Sequence, residues 1–169
     1  VRRTGTTRRG ALTATGATVL GATLAGCGGD DGREDSTIAD ARAAAAQVEN
    51  TLRLTAATTS RKLLVRYDQV VKAYPGTAAG LAPLRDAVRA HTTALSQGEG
   101  GTLPLSHPPA TDAKAAVKEL AAAERRTADA HTATLLKAPP ELARLLASIA
   151  AAGAAHAYLL TEMAKETSS

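Results

Sequence analysis

Of the four histidines in this 169-residue chain, three interrupt apolar stripes. His91 continues the series Leu81, Leu84 and Val88 and precedes Leu95; His131 follows Val117, Leu120, Glu124 and Thr127 and precedes Leu135; His156 follows Leu142, Leu145, Ile149 and Ala152 and precedes Leu159 and Met163. Such groups are rarely buried without partners, so each must answer to another group inside the fold. Two imidazoles and one carboxylate, His91, Glu124 and His156, form a set that can hold a single Zn or non-haem Fe ion. The same residues can instead satisfy one another, Glu124 pairing with one of the histidines or with an arginine such as Arg61, in a core without metal. His131 lies about two turns beyond Glu124, too far along a helix to share an ion easily, and is expected to be structural or half-exposed. His107, in a Pro-rich stretch, is expected at the surface.

Other chemistry finds no support in the motifs. The chain has no G-x-S-x-G elbow, no Walker loop and no G-x-G-x-x-G run. Its three aromatic residues are all Tyr, which argues against base- or sugar-stacking surfaces. Arg125, Arg126 and the Lys and Glu residues flanking the stripes read as solvated helix faces.

The stripes step by three and four, the rhythm of amphipathic helices, and no segment alternates with period two. Punctuation divides the chain into four helices. The first is predicted over 36–74, with Ser36 as N-cap and Pro75-Gly76 as the stop. Its seam of Ile38, Ala41, Ala45, Val48 and Leu52 is interrupted by the polar β-branched run 55–60, where a bend or weak turn is expected, before Leu63, Leu64, Tyr67 and Val71 resume it. The second spans about 77–97. A loop rich in Pro and Gly follows; Thr111 or Asp112 then caps a third helix that reaches Lys137, and Pro139-Pro140-Glu141 opens the fourth with Pro in the first turn and an acid at the positive dipole end. With so much alanine, the core is thin and relies on close helix approach, leaving little room for a large ligand.

Antiparallel helix pairs joined by a longer connection, with His91 on helix two, Glu124 on helix three and His156 on helix four, resemble the ferritin-like fold. That resemblance covers roughly 36–166 and implies carboxylates on helices one and three and Glu-x-x-His on helices two and four, together holding two metal ions. The connection of about thirteen residues can span ~40 Å, enough to return along a ~30 Å bundle. Helices two and three are then parallel, His91 and Glu124 lie at nearly equal depth, and His156 meets them within a turn. The chain departs from the family pattern at Val88 and Gly153, where the glutamates of the two motifs belong, and on helix one the level opposite His91 falls near Ser60 or Arg61, with Glu49 ~16 Å away. A di-iron site is therefore not expected.

The N-terminal residues carry an address. Arg2, Arg3, Arg8 and Arg9 precede a weakly apolar run that ends at Leu24-Ala25-Gly26-Cys27, the layout of an export signal. At about sixteen residues the run is too short for a bilayer core that needs ~20. Leu-Ala-Gly-Cys resembles the lipobox of bacterial lipoproteins, which implies diacylglyceryl attachment to Cys27 and cleavage before it. As the only cysteine, Cys27 can form no internal disulfide. The run 7–12 also resembles a twin-arginine signal, with the general secretory route as the alternative. Val1 and the Ala/Arg/Gly/Thr bias suggest a non-AUG start in a high-GC bacterium. The whole chain carries a formal charge of +4, but without the four leader arginines basic and acidic residues balance at 16 each. The electrostatic case for nucleic acid disappears with them.

The sequence thus predicts a signal peptide over 1–26, a lipidated Cys27 with a flexible linker over 27–35, and an all-α domain over 36–169: an antiparallel four-helix bundle of ferritin-like topology with a long connection between helices two and three. The expected role is a non-enzymatic binding or structural module on the outer face of the cytoplasmic membrane, anchored by its lipid, with a cell-envelope protein as partner, no nucleic acid and no cofactor. The alternative is a single Zn or Fe ion at His91, Glu124 and His156.

Overall fold

A computed structural model describes residues 31–96 and 110–166, with side chains from Ser36 onward. The leader 1–26, Cys27, the connection 97–109 and His107 lie outside the described residues. The described chain is all-helical: α1 is Asp31–Ala73, a 3-10 turn covers Pro75–Thr77, α2 is Ala78–Leu95, α3 is Ala113–Leu135 and α4 is Pro140–Glu166. No strand occurs among the described residues.

The punctuation acts as its chemistry dictates. Pro75 follows the last turn of α1, and the Thr77 hydroxyl donates to the Tyr74 carbonyl at 2.8 Å. Asp112, rather than Thr111, caps α3 by accepting from the Ala115 backbone N–H at 2.8 Å. Glu141 sits in the first turn of α4 and Lys165 in its last, each at the dipole end that favours its charge. By length and composition α4 could also cross a membrane; here its apolar face is buried, chiefly against α3.

Helix α1 differs from its predicted form in two ways. It begins at Asp31, taking in residues 31–35 that the sequence assigned to a linker, so Ser36 is inside the helix and not its cap. It also runs unbroken through 55–60. Thr51, Thr55 and Thr59 each donate their hydroxyl to the carbonyl one turn earlier, at 2.9 to 3.0 Å, so groups that could compete with the helix are satisfied within it.

The helices assort as α1 against α2 and α3, and α3 against α4 in the most extensive pairing. The Tyr74 hydroxyl, at the end of α1, donates to the Ala110 carbonyl just before α3. Helices α2 and α3 therefore start from the same end. Two apolar clusters form the core. One, toward that end, includes Leu63, Val70, Leu81, Val88, Leu120 and Leu160; the other, toward the opposite end, is built from Ala56, Ala57, Leu95, Leu142, Leu146 and Ile149. Where the clusters meet lies a polar interval to which every helix contributes, with Tyr67 also a member of the first cluster.

The inward face of α4 is rotated from the one its large residues suggest. Leu146, Ala150, Gly153, Ala157, Leu160 and Ala164 are buried with Leu142, Ile149 and His156, whereas Leu159 is 49% exposed. The small residues let α4 approach α3 closely, and Leu146 and Leu160 are buried in place of Leu145 and Leu159, so the rotation loses no leucine. Among the described residues nothing covers the expected seam in the first part of α1: Ile38 and Val48 are 49% and 57% exposed, and Ala41 and Ala45 are exposed with them.

Candidate functional site: a polar layer inside the helices

The polar interval gathers Ser60 and Tyr67 from α1, His91 and Thr92 from α2, Glu124 and His131 from α3, and His156 from α4. Each helix reaches it from an apolar stretch on both sides, so the level is fixed by packing above and below. Glu124 is its centre, and only 1% of it is exposed.

One carboxylate oxygen of Glu124 accepts two bonds. The Tyr67 hydroxyl donates to Oε1 at 2.6 Å, and His156 Nδ1 lies 3.2 Å from the same oxygen. The first is in the range of a charge-assisted O–H···O⁻ bond, among the stronger hydrogen bonds a protein makes. Burial, and after it the negative charge of Glu124, pushes the Tyr67 hydroxyl above its usual range, so it stays protonated as a donor. The other oxygen, Oε2, faces Gly153, where a Cβ would stand 3.3 Å from it and 3.4 Å from the Ala128 Cβ. The missing side chain at position 153 makes room for the carboxylate.

The His91 ring stacks on His156 with centroids 6.3 Å apart and planes inclined by 17°. Burial lowers the pKa of His91, and neighbouring His156 lowers it further; Glu124 opposes both. His131 is buried rather than half-exposed, and its Nε2 pairs with the Ser60 hydroxyl at 3.1 Å. Its pKa is lowered too, first by burial and then by His91. Neutral imidazoles are the forms this interior favours at those two positions.

The fold thus brings His91, Glu124 and His156 into one layer, as their depths predict. Arg61 does not join them; its guanidinium donates to Thr58 at 3.1 Å. Tyr67 was read only as an apolar seam residue; Ser60 was placed near the level of His91 but given no role, and both hold the layer together. The signal was present in Tyr67, whose hydroxyl needs a partner wherever its ring is buried.

Glu124 Oε1 is committed to Tyr67 and His156, and stacked rings carry their in-plane lone pairs side by side instead of toward a common point. Among the described residues, no three His, Cys, Asp or Glu side chains are grouped to hold an ion. What the arrangement does chemically is satisfy one oxygen of a buried carboxylate with a phenol and an imidazole. Comparison with protein families, with characterised proteins and with solved structures finds no match for this chain.

Proposed function

We propose that this chain is a membrane-anchored extracytoplasmic lipoprotein whose helical domain is a non-enzymatic binding or structural module. The domain is read as an antiparallel four-helix bundle of ferritin-like topology, displayed on the outer face of the cytoplasmic membrane by lipid on Cys27, with a cell-envelope protein as its partner. Leu24-Ala25-Gly26-Cys27 behind an arginine-rich leader supports the anchor. Two acyl chains on one residue place such a protein in the class of stable attachment. The common starting end of α2 and α3 supports the reading of a long connection between helices two and three.

The observation that carries the non-enzymatic reading is the closure of Glu124 by Tyr67 and His156. A carboxylate already paired inside a thin core is a stability element and needs no ion. The second reading, a single Zn or Fe at His91, Glu124 and His156, draws its support from their shared layer. It requires Tyr67 to release Glu124 and the His91 ring to turn.

Expression of the full chain in a bacterial host tests both. The reading expects membrane-fraction protein that becomes soluble in Cys27→Ala, and no near-stoichiometric metal by elemental analysis. Equal partitioning of the variant contradicts the anchor. Stoichiometric metal that vanishes in His91→Ala/His156→Ala contradicts the metal-free module.

A further inference from the structure

Outside the polar layer, α1 and α3 enclose a groove of about 170 Å³ lined by Thr59, Lys62, Leu63, Arg66, Ala123, Arg126 and Thr127. Leu63 and Ala123 are buried and form an apolar floor. The rest is two hydroxyls and three cations, with no acidic residue.

That segregation is not a by-product of overall charge, because acids and bases balance once the leader is set aside. Five cations elsewhere pair with carboxylates, Arg53 with Glu49, Arg85 with Asp68, Arg89 with Asp86, Arg144 with Glu141 and Lys165 with Glu162, while others such as Arg61 and Arg125 bond to threonine hydroxyls. Lys62, Arg66 and Arg126 have no such partner among the described residues. Lys62 and Arg66 are one turn apart, ~6 Å along the same face of α1, and Arg126 reaches the groove from α3. Converging like charges repel, and an anion between them turns that repulsion into attraction.

We infer that this groove binds a phosphate group. Two guanidinium forks and an ammonium offer more donors than one carboxylate can use, and Arg forks match the paired oxygens of phosphate. Thr127 supplies a hydroxyl, while Thr59 already donates to the Thr55 carbonyl and can only accept. The phosphate is carried either by a small phosphorylated molecule or by a phospholipid headgroup. Lys62 lies about 45 Å along α1 from Asp31, a distance that favours the soluble source if α1 stands upright from its lipid. The inference names a ligand class for the proposed binding module; the choice of source rests on the lipid anchor, whereas the phosphate site itself depends on neither the anchor nor the state of Glu124.

Calorimetric titration of the full chain with inorganic phosphate and with glycerol 3-phosphate, in about 0.15 M salt, tests it. A parallel arm measures co-sedimentation of Cys27→Ala with phosphatidylglycerol vesicles. Saturable binding of either soluble phosphate, weakened at least about tenfold in Arg66→Gln/Arg126→Gln and retained in Arg144→Gln, supports the site with a soluble ligand. Vesicle binding alone with the same dependence supports it with a headgroup. Both variants are expected to keep the parent's circular dichroism and melting temperature. No response in either arm, or one shared equally by all three proteins, overturns the inference.

Discussion

The two parts of α1 carry the same apolar rhythm and meet different fates. From Ile38 to Val48 the seam residues face solvent; from Ala56 to Val70 the same spacing buries Ala56, Leu63, Tyr67 and Val70. The later part also supplies hydrogen bonds inward, Ser60 to His131 and Tyr67 to Glu124, which the earlier part does not. Periodicity therefore says which face of a helix is apolar. Whether that face is covered depends on the length of its neighbours: α2 has 18 residues against 43 in α1, and cannot reach the first part.

If the contrast holds, substitutions in the two parts should differ sharply. The largest effect is expected for Tyr67→Ala, which opens a cavity and strips Glu124 of a donor, at about 3–5 kcal/mol in urea unfolding. Tyr67→Phe keeps the ring and removes only the hydroxyl. It should cost about 1–3 kcal/mol, the range for leaving a buried acceptor short of a partner. A loss near zero would mean the carboxylate had found another donor.

Acid should weaken the polar layer that the later part joins through Ser60 and Tyr67. Folded His91 and His131 have pKa values below the unfolded value of about 6.5. Above pH 6.5 both are neutral in either state and their contribution is complete. As pH falls below 6.5 the unfolded chain binds protons that the folded chain refuses, so stability declines until the pH has passed below the folded pKa values. Melting temperatures measured from pH 7.5 down to pH 5 should show the decline, and His131→Gln should flatten it. The smallest effect belongs to Ile38→Ala and Val48→Ala, each expected within about 0.5 kcal/mol of the parent because neither side chain is packed. A larger loss in dilute solution would show that the first part of α1 is covered.

Much of the helix plan was legible because it is written locally. Pro75, Asp112 and Pro140 mark ends by backbone chemistry that no distant residue changes. The convergence of His91, Glu124 and His156 was legible for a related reason: helix rise is constant, so counting residues from a turn gives depth. Tyr67 escaped because its ring fits an apolar seam and its hydroxyl leaves no trace in periodicity. Ser60 escaped because its neighbours read as helix breakers, whereas the threonines at 51, 55 and 59 bond back along the helix. The rotation of α4 was hidden because a reading that weights large residues chooses Leu159, while the close contact with α3 is made at Gly153 and small Ala157 is buried on the same helix. The absent glutamate at 153 was visible from the start; that its space receives Glu124 Oε2 required the packed helices.

The central proposal is that Glu124 is satisfied by protein groups and not by an ion. Thermal unfolding of the full chain in chelator, beside the same protein with excess Zn(II) or anaerobic Fe(II), tests it directly, since a ligand that binds only the folded state raises the melting temperature. The account predicts the same melting temperature in all three conditions. A rise with metal that disappears in Glu124→Gln would contradict it.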